Sequence, residues 1–300
     1  MRLGGPVLRV MNLQLELAYY RKFGMQPIRK FRKDGHEIIE LVIGVEDNLV
    51  PQIDNPHILT LVHDPEASRP YQKSAGLFHF AILTSDRKSL AATFVSLVNQ
   101  GVKFAGFADH LVSESLYLQD PEDNGIEIYC DRPREEWQFD KNGHVQMDTI
   151  ALNLESLLSE LYHDEDDMVT RNSPSYLRPF PRGGTIGHIH LKVTNLATST
   201  DFYREILGFD LMQSMQGASF LSVEGYHHRL ALNTWLSHGG ISLMGTEAGL
   251  EHFTIHNSDK EFYKHSLTSI RKSSTYTISS SEVMVIDPDG IRMMLNYNGR

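Results

Sequence analysis

Between residues 76 and 132, in GLFHFAILTSDRKSLAATFVSLVNQGVKFAGFADHLVSESLYLQDPEDNGIEIYCDR, stand His79, His110, Tyr117 and Glu127. These are side chains of the kinds that can hold a divalent metal and bind or move protons beside it. Two neutral imidazoles and one carboxylate on one face of Fe(II) leave coordination positions open for a chelating substrate and dioxygen. Taken singly, a strand histidine is usually a packed core residue and a lone glutamate usually faces water.

The four residues need elements that bring them together. GLFHFAIL is an apolar run of strand length between Gly76 and the polar TSDRK, which predicts a buried strand carrying His79. LAATFVSLVNQ places Leu90, Phe94, Leu97 and Val98 at helical spacing, and Gly101 stands where a helix C-cap belongs. SLYLQ and GIEIYC alternate as strands do, with Asp120–Gly125 as the turn between them. His79 thus belongs to the first strand of this unit and Glu127 to its last.

Three hundred residues suffice for two domains with full cores, and 41% hydrophobic with 22% charged residues is ordinary for a soluble globular chain. A net charge of -10 argues against a nucleic-acid or anionic-membrane surface. No apolar run approaches membrane-spanning length, and MRLGGPVLRVMN lacks the apolar centre of a signal peptide. The single cysteine, Cys130, excludes an intrachain disulfide, and the expected location is a reducing cytoplasm. Fifteen histidines are many for this length and invite reading one by one.

The chain repeats itself. LRVMNLQLELAYYRKFGMQPI (8–28) matches LKVTNLATSTDFYREILGFDL (191–211), and the stretch from HFAI to DPEDNGIEIY matches the one from HFTI to DPDGIRMMLN. The order is A, B, A, B: four βαβββ modules in an α+β chain, one and two in residues 1–132, three and four in residues 185–300. Residues 133–184 contain EEWQ, the helical IALNLESLLSEL, the acidic HDEDD and the proline-rich SPSYLRPFPRGG, a composition shift that reads as a linker.

On the residues GHIHLKVTNL, YHHRLALNTW, LFHFAIL and DHLVSESLYLQDPEDNGIEIYCDRPR, the sequence resembles the vicinal oxygen chelate superfamily of glyoxalase I, bleomycin-resistance proteins and type I extradiol dioxygenases. Within it the chain is most similar to catechol 2,3-dioxygenase-like proteins, over nearly its whole length apart from the linker. The resemblance implies that modules pair into cupped half-barrels around a divalent metal. Its ligands would come from the first strand of one module and from the first and last strands of its partner.

Carried over residue by residue, the resemblance puts metal ligands at His79, His188 and Glu127. The HH-x-x-A motif falls on His227-His228, with His228 as the proton-transferring residue and His227 on the opposite strand face as structural. Tyr117 and His110 would hold and orient substrate oxygens. Module one has Gly5 at its ligand position, and module four keeps His252 but has Met294 and Met284 where a carboxylate and a tyrosine belong. A thioether serves Fe(II) poorly, so module two is expected to pair with three and module four with one. His190 could line the pocket, and Trp235 and Tyr226 could wall it.

The implied function is an Fe(II)-dependent extradiol dioxygenase acting with dioxygen on a small catechol- or hydroquinone-like aromatic, Mn(II) or another divalent metal being alternative occupants. One competing reading is a metal- or ligand-binding protein of the same fold without oxygen chemistry. A glyoxalase-type lyase or isomerase is disfavoured because Ala231 occupies the second carboxylate position. A site completed within one chain does not require a homo-oligomer, though it is compatible with one.

Overall fold

Each module folds because its apolar residues change period from strand to helix and back. In module one, β1 (Arg2–Leu3) and β2 (Val7–Val10) lead into α1 (Leu13–Arg21), whose Asn12 side chain accepts from Leu15 N as an N-cap, and then into β3 (Gln26–Lys33), β4 (His36–Val42) and β5 (Leu59–His63). Module two runs β6 (Gly76–Thr84), α2 (Arg87–Asn99), β7 (Gly106–Asp109), β8 (Ser113–Gln119) and β9 (Gly125–Asp131). Asp86 caps α2 by accepting from Ser89 N, and Gly101 follows the helix at φ 69°, the left-handed conformation that glycine adopts most freely.

After α3 (Leu154–Ser159), module three consists of β10 (Gly184–Lys192), α4 (Leu196–Asp201), β11 (Asp210–Met215), β12 (Ala218–Ser222) and β13 (Leu230–Asn233). Module four consists of β14 (Gly249–Asn257), α5 (Lys260–Ile270), β15 (Tyr276–Ile278), β16 (Val283–Ile286) and β17 (Arg292–Tyr297). This computed structural model describes residues 1–43, 58–141, 143–162, 178–272, 276–278 and 283–297; HDEDD lies outside them.

The fold is α+β, with two curled sheets forming half-barrels. In one, the order β11-β12-β13-β10-β6-β9-β8-β7 joins the strands of modules three and two. In the other, β15-β16-β17-β14-β2-β5-β4-β3 joins those of modules four and one, with β1 added beside β14. Within each module the first strand lies parallel to the last, as β6 does to β9 and β10 to β13. Between modules the two first strands meet antiparallel, β6 on β10 and β2 on β14. The helices pack on the sheets, and Leu8, Tyr20, Phe80, Leu90, Tyr203 and Phe253, all fully buried, belong to one continuous core.

Residues 133–162 do more than connect. Trp137, Val145 and Met147 form a small second core with Val112, against which Met212, Phe220 and Tyr226 pack. Asp109 and Ile150 exchange two backbone hydrogen bonds of 2.9 Å, which extends the edge at β7.

One glycine matters for the geometry of the sheet interior. The β6–β10 register shifts between Ile186 and His188, so Gly187 sits in an irregularity of β10. A Cβ there would stand 1.8 Å from Tyr129 Oη, so only glycine lets the Tyr129 ring close against β10 beside His188.

Candidate metal centre

Three adjacent strands of the β6–β13 sheet each deliver one metal-binding side chain to the same face. His188 comes from β10, His79 from β6 and Glu127 from β9, whose register puts Glu127 opposite Ala81. Nε2 of His79 lies 3.3 Å from Nε2 of His188, and Oε2 of Glu127 lies 2.9 Å from the former and 3.0 Å from the latter. Three donors at right angles around a first-row divalent ion, with bonds of about 2.1 Å, lie about 3.0 Å apart. The set therefore fits such an ion on one face of an octahedron. It is also the donor set of the two-histidine, one-carboxylate facial triad. Among the described residues no other group of three or more His, Cys, Asp or Glu side chains converges in this way.

The protonation states suit metal binding, which needs bare imidazole nitrogens and an ionised carboxylate. Burial opposes the charge on Glu127, yet His188 and His79 beside it hold its carboxyl well below the usual carboxylate range. Burial pushes His188 down to about 4, against the pull of Glu127. Burial likewise holds His190 and His228 well below the ordinary imidazole value.

The second oxygen of Glu127, Oε1, accepts a 2.6 Å hydrogen bond from Ser115 Oγ. Sequence reading did not single out Ser115, although its place two residues before Tyr117 puts both on one strand face. Losing a partner of a ligating carboxylate typically costs about 10–100-fold in metal affinity. Ser115→Ala should therefore weaken metal binding by about that factor while leaving stoichiometry at one ion per chain, as read by competition with a chelator.

The triad opens on a cavity of about 320 Å³ that is also lined by His110, Tyr117 and His228. His110 Nδ1 lies 3.0 Å from Asp148 O, so it carries the hydrogen, and Nε2, 2.6 Å from Tyr117 Oη, accepts from the phenol. Burial, with the Glu127 charge behind it, raises the Tyr117 hydroxyl well above its ordinary value and keeps it a donor. Apolar walls come from Phe78, Val112, Met215, Phe220, Trp235 and Met147.

Several expectations need adjustment. His227 and His228 lie in the loop before β13, so strand alternation does not set their directions. His228 reaches the cavity, while His227 is fully buried and does not line it. His190 lines the cavity, its Nε2 accepting from Asn233 Nδ2 at 2.9 Å, and Trp235 walls it. Tyr226 is not among the lining residues and donates to Asp131 instead. Met147, Asp148 and Thr149 line the cavity from within the stretch read as a linker, where composition gives no sign of a role. In the other sheet, His252 stands opposite Val7 and Met284 opposite Met294.

Comparison with known proteins places this geometry in a family. The model of the glyoxalase/bleomycin resistance protein/dioxygenase superfamily matches residues 2–128 and 185–295. A protein named catechol-2,3-dioxygenase from Bacillus subtilis (strain 168) is 34% identical over 256 residues, covering 84% of this chain and 81% of its own. A glyoxalase I mutant from Zea mays shares the fold at a TM-score of 0.56 and 17% identity, covering 99% of this chain and 94% of its own. The cppA protein from Streptococcus pneumoniae TIGR4 does so at 0.54 and 11%, covering 99% and 97%. A chain matched by one family model in both halves, and by a relative at this identity over most of its length, belongs to the glyoxalase/bleomycin resistance protein/dioxygenase superfamily.

Proposed function

We propose that this protein is an Fe(II)-dependent extradiol dioxygenase that opens the ring of a catechol- or hydroquinone-like aromatic with dioxygen. The observation that carries the reading is the facial set His79, His188 and Glu127 at the floor of a largely apolar cavity shared with His110, Tyr117 and His228. The relative named catechol-2,3-dioxygenase supports it.

In this reading the three ligands hold the iron, which supplies a Lewis acid for the phenol oxygens and open positions for dioxygen. Tyr117 Oη and His110, hydrogen-bonded to each other at 2.6 Å, bind and orient the substrate's oxygen-bearing edge. His228, a neutral imidazole, accepts and returns a proton at the substrate. The walls of Phe78, Met147, Phe220 and Trp235 take the flat ring and exclude water. A glyoxalase-type reaction is less well served, because buried Ala231 on β13 offers no second carboxylate.

The test is anaerobic reconstitution with Fe(II), then catechol, then air. A yellow ring-fission product is expected. Stoichiometric iron with no product from a panel of catechols and hydroquinones would leave a metal- or ligand-sequestering protein as the better description.

A further inference from the structure

The strand that carries Glu127 to the metal centre carries a second carboxylate four residues later. Residues 127, 129 and 131 share one face of β9, and Asp131 ends the strand. Asp131 Oδ1 lies 2.9 Å from Nε2 of His227. His227 Nδ1 lies in turn 2.8 Å from Nδ1 of His228. Asp131, His227 and His228 thus form an unbroken hydrogen-bonded chain from the end of β9 to the cavity wall.

The chain has a direction fixed by hydrogen-bond bookkeeping. A carboxylate accepts only, so His227 Nε2 must carry a hydrogen. With its one hydrogen on Nε2, the His227 ring has a bare Nδ1, and two nitrogens 2.8 Å apart need one hydrogen between them. That hydrogen belongs to His228 Nδ1. His228 lines the cavity and turns its Nδ1 edge to a residue that does not, so Nε2 is left with its lone pair on the cavity side.

The surroundings hold this arrangement in place. Tyr226 Oη donates to both oxygens of Asp131, at 3.1 and 2.9 Å, and Tyr129 Oη stands 2.8 Å from Tyr226 Oη. The Tyr226 ring packs on His227 at 4.1 Å between centroids, and the Trp137 ring lies 5.3 Å from His227. Arg229 lies 3.8 Å over the Tyr226 ring and donates to Gly187 O at 3.0 Å, while Arg134 donates to Gly225 O at 2.9 Å. The loop before β13 is therefore clamped from β10 and from residues 134–137.

We propose that Asp131 and His227 are positioning residues that lock His228 in its Nδ1–H tautomer and so present the Nε2 lone pair to the substrate. The role deepens the dioxygenase reading and rests on it for its catalytic meaning. The tautomer itself can be tested without that reading. In protein labelled with 15N-histidine, metal-free or loaded with Zn(II), His228 is expected to show a protonated Nδ1 and an unprotonated Nε2. A protonated Nε2 on His228 in the wild type would overturn the proposal whatever the protein's activity.

Asp131→Asn offers an amide that can donate to His227 Nε2, which reverses the chain and moves the His228 hydrogen to Nε2. In the Fe(II) enzyme this should lower kcat for catechol by roughly 100-fold, the scale of a lost general base. KM and metal affinity should stay within about twofold, because a mere loosening of the fold would move them too. Tyr226→Phe, which removes a donor to Asp131 but leaves its charge, should keep the wild-type tautomer. Retention of that tautomer in Asp131→Asn, or its loss in Tyr226→Phe alone, would refute the assignment; if Asp131→Asn does not fold, the wild-type spectrum and Tyr226→Phe decide.

Discussion

Glu127→Ala is expected to abolish stoichiometric metal binding, while His252→Ala keeps one ion per chain. The reason lies in charge and geometry together. Glu127 is the one anion among the three converging donors, and it lies within 3.0 Å of both imidazoles. Removing it leaves two neutral nitrogens to hold a dication in a buried site, so the loss should exceed the roughly 10–100-fold cost of an outer partner. His252 belongs to the other sheet, where no comparable set converges among the described residues. Equilibrium dialysis followed by metal analysis of both variants checks this. An ion retained by Glu127→Ala but lost by His252→Ala would move the metal centre to the other sheet.

The second large effect concerns stability. Glu16 faces the core from α1 together with Leu13, Leu17 and Tyr20, and is fully buried. Its neighbours are Asp120 and Glu122 from the β8–β9 turn. Burial first, and those two charges next, push its carboxyl from the ordinary 4.5 up to about 9. The repeat shows what the position ordinarily holds. In modules three and four Tyr203 donates to Asp287 as Tyr20 does to Asp120, and Ser199, aligned with Glu16, donates to Asp289. Glu16 can act as such a donor only when protonated.

The folded state thus keeps a proton that the unfolded chain releases above pH 4.5. Stability linked to Glu16 is complete below 4.5, declines as pH rises, and is fully lost by about pH 9. Glutamine donates at every pH and carries no such dependence. With each pH unit worth about 1.4 kcal/mol, Glu16→Gln should stabilise the protein by up to about 3 kcal/mol at pH 7 and by little at pH 4.5. Urea denaturation at the two pH values measures it. A gain of equal size at both would mean that packing, and no proton, sets the cost of Glu16.

Much of the fold could be read from local pattern. Gly101 after LAATFVSLVNQ marks the end of α2, and the matched Asn-Leu at 12–13 and 195–196 marks the capped start of α1 and of α4. The caps and the repeat rest on interactions among residues a few positions apart, and such interactions leave a periodic trace; His79, His188 and Glu127 were pointed to by the family resemblance carried over onto these strands.

The rest depended on contacts that no local period records. His79 and His188 are 109 positions apart, and their meeting depends on β6 taking β10 as its antiparallel neighbour. All four modules present similar free edges, so the partner of each is chosen by how the whole chain packs. The folding of Met147–Thr149 over the cavity, the irregularity at Gly187 that admits Tyr129, and the loop that aims His228 have the same origin. The sequence by itself determined the modules and the kinds of side chain each could contribute. Only the tertiary structure decided which of them share a space, because strand-edge pairing and close packing are settled by shape and hydrogen bonding across long chain separations.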